Sequence, residues 1–237
     1  MAQESFRALV VEQNADVVSA VFQELPTTAL PQGDVLVSVA YSSLNYKDAL
    51  AITNQGKIIR KFPFVPGVDL AGTVVESQSE SFKAGDQVLL TGWGVGERHW
   101  GGYAQLARVK SEWLVPLPGG LSLQDAMGIG TAGFTAMLCV MALEEHGLRP
   151  GGREVLVTGA AGGVGSVAVS LLATLGYRVV AATGRSELHN YLKELGAADF
   201  LDRAELATPS KKPLESERWG GAVDSVGGET LASLLKA

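Results

Sequence analysis

A glycine-rich run near the middle of the chain, "EVLVTGAAGGVGSVAVSLLATLG" (154–176), joins a strand-like segment to an amphipathic helical one. Aligned on the G-x-G-x-x-G pattern, its turn runs from Ala160 to Gly165, with alanine in the first position. Gly162 would let the backbone approach a pyrophosphate, and Gly165 would let the helix pack closely on the strand. A strand before the turn, a helix after it and a second strand beyond favour a dinucleotide cradle. A ligand-free turn between two buried elements is the alternative.

The end of the second strand indicates which dinucleotide would bind. An NAD site usually has Asp or Glu there for the ribose hydroxyls, whereas an NADP site needs groups for a 2′-phosphate. Here the strand "YRVVAAT" (177–183) is followed by "GRSE", and an arginine beside hydroxyl groups suits a phosphate. We therefore predict NADPH, although a lone arginine is often only a solvated surface charge. The cofactor-binding residues predicted in this half are Ala160, Gly162, Gly163, Val164, Gly165, Thr183, Arg185 and Ser186.

The sequence lacks the residue patterns needed for two other kinds of chemistry, metal binding and serine hydrolysis. The three histidines, His99, His146 and His189, are widely spaced, and Cys139 is the single cysteine. No His-x-x-x-His or Cys-x-x-Cys arrangement is present, so we predict no metal site. A G-x-S-x-G elbow is also missing, which argues against a serine hydrolase.

The elements that must position these residues change character along the chain. Up to about Pro118 short β-rich runs alternate with turn residues, a pattern typical of an all-β barrel or sandwich. From Ser122 onwards helical and strand-like segments alternate, which predicts an α/β domain with a parallel sheet. We place the domains at 1–120 and 121–237, and we predict a helix-poor loop over 203–218.

Composition narrows the class of partner. The 237 residues are 46% hydrophobic and carry a net charge of −6, which disfavours nucleic-acid and anionic-membrane surfaces and favours a small-molecule partner. No basic and apolar leader is visible, and no apolar run approaches the roughly 18 residues of a membrane span. These features predict a cytoplasmic protein.

Motifs along the whole chain resemble the medium-chain dehydrogenase/reductase superfamily. They are "GTAGFTA" (130–136), "VTGAAGGVG" (157–165) and "AVDSVGG" (222–228). Zinc enzymes of that superfamily have a cysteine ligand and a Gly-His-Glu motif, where this chain has Asn45 and Val68. The pattern is similar to the zinc-independent quinone oxidoreductase branch. The runs "SSLNYKDALAITNQGKIIRKFPFVPGVDLAG" and "GWGVGERHWGGYAQ" resemble specifically its acryloyl-coenzyme A reductase subfamily.

The resemblance implies a GroES-like β-barrel followed by a Rossmann doubly wound sheet that ends early, after its fourth strand. It also implies hydride transfer from NADPH to the β-carbon of acryloyl-coenzyme A, with charge developing on the thioester oxygen. In this reading Asn45 is an amide donor, Tyr46 a donor or acid, and Asp48 an orienting group. Thr131 matches the residue beside the nicotinamide in related enzymes, and its alternative role is an ordinary helix N-cap.

Several alternatives stay open at this point. The substrate could be a quinone or another activated alkene instead of an acyl-coenzyme A. Because members of the superfamily are longer and form homodimers, the chain could also be an inactive, truncated nucleotide-binding fragment. Lys57, Arg60 and Lys61 form a basic cluster in an acidic protein, which fits either a coenzyme A phosphate or a solvated turn.

Overall fold

The computed structural model describes residues 4–15, 17–207 and 214–237. They form two compact units, 1–131 and 132–237. The observed division lies after Thr131, whereas the sequence analysis placed it after residue 120. The difference arises because the start of a long helix packs on the first unit, where Ala126 and Met127 cover the buried Ala71.

The first unit is built from antiparallel strands. Two of them, β1 (Ser5–Asn14) and β2 (Val17–Pro26), form a hairpin. The other five form a sheet in the order β6-β3-β4-β5-β7. They are β3 (Val35–Tyr41), β4 (Asp69–Ser77), β5 (Gln87–Thr91), β6 (Leu106–Val109) and β7 (Val115–Pro116). The β-rich first half predicted from the sequence is therefore confirmed.

The sequence pattern does not indicate two elements of this unit, one strand and one helix. The sequence of β2 does not alternate cleanly between apolar and polar residues, and Phe22 is 67% exposed, although Val18, Ala20 and Leu25 are partly buried against the core. The strand is also ordered by continuous pairing with β1, in which Phe6, Ala8 and Val10 alternate inwards. The helix α1 (Tyr46–Thr53) is short and begins immediately after Asn45.

A long apolar helix, α2 (Leu123–Glu145), links the first unit to the second. Ser122 caps it, since its hydroxyl accepts a 3.1 Å bond from the N–H of Asp125. By length and composition α2 could cross a membrane, which corrects the expectation that no segment is apolar enough. Gly130 interrupts it (φ 48°, ψ −160°), leaving 131–145, shorter than the roughly 20 residues of a span. Ala136 and Val140 of that part are fully buried in the core of the second unit.

The second unit contains the predicted parallel sheet, in the order β10-β9-β8-β11. Its strands are β8 (Val155–Val157), β9 (Val179–Thr183), β10 (Asp199–Asp202) and β11 (Gly221–Val223). Its remaining helices are α3 (Gly163–Thr174), α4 (His189–Glu194), α5 (Arg203–Ala207) and α6 (Gly228–Leu234). The order 3-2-1-4 is that of one end of a doubly wound fold.

One local prediction in this unit is wrong. Residues Arg203–Ala207, predicted to be part of a helix-poor loop, form α5. The side chain of Asp202 accepts the N–H of Ala204 at 2.9 Å and so begins the helix. The rest of that predicted loop falls partly on 208–213, outside the described residues.

Candidate functional site

The glycine turn of the second unit lies between the carboxyl end of β8 and α3. A Cβ added to Gly165 would lie 2.3 Å from the carbonyl oxygen of Gly159 and 2.7 Å from the Cα of Ala160. The first turn of α3 therefore packs directly on the backbone that leaves β8, which only glycine allows. Gly162 precedes α3 in an extended conformation, and the free N–H groups of the helix N-terminus suit an anion.

Gly159, which the sequence analysis did not select, is also sterically required. Its φ is 56°, and a Cβ there would lie 2.5 Å from Oγ of Ser225. Ser225 follows β11, so the turn after β8 and the end of β11 meet at this point. The signal was available in "VTGAAGGVG", where Gly159 is the first glycine.

A cavity of about 870 Å³ opens beside this turn, at the carboxyl ends of all four parallel strands. Ligands of open α/β sheets bind at this edge. Three of the predicted cofactor-binding residues line this cavity: Gly162, Thr183 and Arg185. Ala160, Gly163, Val164, Gly165 and Ser186 do not line it. The binding roles of all these residues stay predictions.

Two arginines border the cavity, and the sequence analysis identified only Arg185. The second, Arg203, lies over Gly184, whose added Cβ would be 2.5 Å from its Nε. Among the described residues neither has a carboxylate partner. The hydroxyl of Thr183 accepts the N–H of Arg185 at 3.1 Å. Because Arg203 is brought here by the third strand, only its position directly after that strand could have indicated it.

These observations fit a dinucleotide with a 2′-phosphate. A turn of glycines and alanines and a helix N-terminus suit a pyrophosphate, while the two arginines suit a further phosphate. The residues that would hold NADPH are Gly159, Ala161, Gly162, Thr183, Arg185, Arg203 and Ser225.

In the first unit, the predicted catalytic residues occupy the start of α1. Tyr46 is 81% exposed, so it is not a packed aromatic side chain. Asp48 is fully buried and accepts the N–H groups of Asn45 at 2.9 Å and Val68 at 3.0 Å. Burial raises the pKa of the Asp48 carboxyl above its usual value. Asp48 therefore joins the first turn of α1 to the segment before β4, which matches an orienting role.

Asp69, the first residue of β4, is the centre of a buried hydrogen-bond network. Its carboxylate accepts the hydroxyls of Ser43 and Thr131, the side-chain amide of Asn45 at 3.0 Å and the N–H of Thr131 at 2.9 Å. An added Cβ on Gly130 would lie 2.8 Å from the same carboxylate. Asp69 thus fixes both Asn45 and the start of the helical segment after Gly130.

This network engages the side chain of Asn45, whose role as an amide donor stays a prediction. Its amide nitrogen donates to Oγ of Ser43 at 2.8 Å and to Asp69. The two acceptor oxygens lie so close together that one amide hydrogen serves both, and the neighbouring Tyr46 has its hydroxyl at the surface. Close by, the hydroxyl of Tyr103 donates to the carbonyl of Ser43 at 3.0 Å, and burial raises its pKa, so it stays protonated.

The glycine- and tryptophan-rich loop (92–102) packs backbone against backbone on the segment before β4. An added Cβ on Gly101 would lie 2.1 Å from the carbonyl oxygen of Gly67. Trp100 packs against the hydrophobic core, whereas Trp93 is 63% exposed. His99 lies within hydrogen-bonding distance of two backbone carbonyls. The loop therefore supports β4 through close contact and leaves only Trp93 as an exposed aromatic group.

Over the described parts of the chain, no cluster of three His, Cys, Asp or Glu residues could hold a metal ion.

Comparisons with known proteins agree with this geometry. The alcohol dehydrogenase GroES-like domain family matches residues 31–119. The acrylyl-CoA reductase AcuI of Ruegeria pomeroyi is 57% identical over 97% of this chain and 70% of its own length. The Bacillus subtilis protein YhfP, named as a quinone oxidoreductase, is 50% identical over 97% of this chain and 70% of its own length.

Solved structures extend the likeness to the fold. The YhdH oxidoreductase of Salmonella enterica, in complex with NADP, is 60% identical with a TM-score of 0.94, over 97% of this chain and 70% of that one. YhfP, solved with NAD bound, is 49% identical with a TM-score of 0.95, over 99% of this chain and 71% of that one. The chain thus spans about 70% of the length of these relatives. It belongs to the acrylyl-CoA reductase subfamily of the medium-chain dehydrogenase/reductase superfamily.

Proposed function

We propose that the protein reduces the activated C=C bond of acryloyl-coenzyme A to propanoyl-coenzyme A with NADPH. The choice of cofactor rests on the pair of arginines at the strand-end cavity, with Gly184 and Arg185 directly after β9 where an NAD site usually has an acidic residue. The substrate class is supported by the 57% identity to an acrylyl-CoA reductase. The NADP complex of the YhdH oxidoreductase supports the choice of cofactor.

The cofactor, when bound, supplies a hydride for the β-carbon of the thioester. A proton must then reach the α-carbon, and negative charge on the thioester oxygen must be stabilised in between. Tyr46 offers its hydroxyl for one of these tasks because it is exposed at the first turn of α1. Asn45 and Asp48 hold that turn in place, and Asp69 fixes Asn45.

The direct test is steady-state NADPH oxidation by the full chain, with acryloyl-coenzyme A compared against a panel of quinones. We expect kcat/KM to be highest for acryloyl-coenzyme A. The name of YhfP favours quinone reduction as the second candidate function. Equal or higher kcat/KM with a quinone would overturn the proposed substrate.

Replacing Tyr46 by phenylalanine should lower kcat by roughly 10²-fold, the usual contribution of a positioned proton donor. The KM for the thioester should change little, because the ring is retained. Tyr41, also exposed in this unit, provides the matched control as Tyr41→Phe. A Tyr46→Phe variant with unchanged kcat would remove Tyr46 from the mechanism.

The double variant Arg185→Gln/Arg203→Gln should weaken NADPH binding by about 100-fold, since each arginine loses a hydrogen bond to a charged phosphate. NADH binding should stay nearly constant, because NADH lacks the 2′-phosphate. Arg178→Gln is the control, an exposed arginine of the same unit that pairs with Glu154 at 2.6 Å. Fluorescence titration of both nucleotides measures the effect. Equal weakening of NADPH and NADH would argue against 2′-phosphate recognition.

We further propose that the protein acts in the cytoplasm; a homodimer is what the resemblance implies for the longer members of the superfamily. Its acidic composition and single cysteine favour the compartment. Sedimentation velocity would test the dimer, which a monomeric species at micromolar concentration would contradict.

A further inference from the structure

The basic loop, which we define as residues 54–61, contains three cations that the proposed mechanism does not use. Lys57, Arg60 and Lys61 are all exposed. Among the described residues, none of the three has a carboxylate within ion-pairing distance. Three cations within five residues are notable in a protein of net charge −6, because no neighbouring carboxylate in the described parts of the chain offsets their charge and the loop presents a local positive potential to anions.

The loop is held in place by apolar anchors between its cations. Ile59 is 4% exposed and packs with Val11, Ala51 and Phe64. Phe64, just beyond the loop, exchanges two backbone hydrogen bonds with Val11, at 2.7 and 2.9 Å. The cations are thus displayed on a fixed backbone, which lowers the entropic cost of binding a ligand there.

The position of the loop relates it to the reactive end of α1. Tyr46 begins α1, and the loop follows its last residue, Thr53. Eight helical residues put about 12 Å between the two ends. The pantetheine arm of coenzyme A has the backbone length of about five extended residues, roughly 17 Å. A thioester at Tyr46 can therefore place its phosphates near the loop.

We propose that the basic loop binds the phosphate groups of the coenzyme A part of the substrate. The inference rests on the proposed function, since it takes an acyl-coenzyme A as the ligand. Arg60 offers a planar fork for bidentate phosphate contacts, and the two lysines add positive charge. The loop acts as a specificity determinant that distinguishes a coenzyme A thioester from a quinone or a short thioester.

The test is the double variant Arg60→Gln/Lys61→Gln. We expect the KM for acryloyl-coenzyme A to rise at least about tenfold, the effect of losing one hydrogen bond to a charged group. The KM for acryloyl-N-acetylcysteamine, which lacks the phosphates, should stay unchanged, as should kcat for both. Added salt should raise the KM for acryloyl-coenzyme A in the wild-type protein and much less in the variant.

The control is Lys83→Gln/Lys193→Gln, which removes two exposed cations elsewhere and changes the net charge equally. Calorimetric binding of propanoyl-coenzyme A adds a readout that needs no turnover. The inference is wrong if the variant and the control bind propanoyl-coenzyme A equally well. It is also wrong if the variant raises the KM for both thioesters by the same factor. A wild-type protein that binds propanoyl-coenzyme A but does not reduce acryloyl-coenzyme A would instead reject the proposed function.

Discussion

Gly165→Ala should abolish measurable NADPH binding and destabilise the second unit by about 3 kcal/mol, the upper range for overpacking. The added methyl would lie 2.3 Å from the carbonyl oxygen of Gly159 and 2.7 Å from the Cα of Ala160. Both neighbours are backbone atoms, so no side chain can turn away to make room. The first turn of α3 must therefore move off β8, which displaces the helix N-terminus beside the cavity. Thermal unfolding and NADPH titration measure the two effects.

Gly152→Ala is the matched control for this prediction. Gly152 lies in the same unit, and its added Cβ would contact only the carbonyl oxygen of Arg149, at an ordinary 3.4 Å. We expect it to change stability by less than about 1 kcal/mol. If Gly165→Ala proves as mild as Gly152→Ala, the close approach of α3 to the strand end does not control the site.

Asp69→Asn should destabilise the first unit by about 3 kcal/mol and lower kcat/KM. The buried carboxylate accepts four hydrogen bonds, from the side chains of Ser43 and Asn45 and from the hydroxyl and N–H of Thr131. An amide replaces one acceptor oxygen by an NH₂ group, which would face donors. Losing bonds to a charged group and leaving buried donors unpaired each cost about 1–3 kcal/mol. Denaturant unfolding and steady-state kinetics measure the change.

Asp125→Asn serves as the control for the burial of Asp69. Asp125 also accepts a hydroxyl and a backbone N–H, both from Ser122, but its carboxyl lies in an exposed turn at the start of α2. Its replacement should cost less than about 1 kcal/mol and leave kcat/KM unchanged. If the two variants lost equal amounts of stability and of kcat/KM, the hydrogen bonds of Asp69 would contribute no more than those of an ordinary helix cap.

Features carried by local sequence were predictable. The glycine turn, the strand before it and the helix after it follow from residue spacing, and Gly165 was identified for the close contact that the structure shows. The choice of Arg185 as a phosphate ligand depended only on its position after a strand. The predictions of the turn, its flanking elements and the Gly165 contact succeed because a parallel strand, its turn and the next helix are neighbours in both sequence and space.

Features assembled across the chain were harder to predict. Arg203 reaches the cavity because β10 lies beside β9, a pairing that sequence spacing alone does not reveal. The hydrogen bond between Asn45 and Asp69, 24 residues further on, also joins two segments that the sequence does not bring together. Strand β2 was hard to predict because its apolar residues do not alternate regularly in the sequence, and continuous pairing with β1 helps to hold it.

The break in α2 at Gly130 determines where the gene can be cut if the first unit is to be produced alone. A recombinant fragment ending at residue 120, where the sequence changes character, would lose Ala126 and Met127 from the surface of Ala71. It would also leave Asp69 without Thr131, a partner for two of its hydrogen bonds. The usable boundary therefore lies inside a helix, after Thr131, and not in the loop before it.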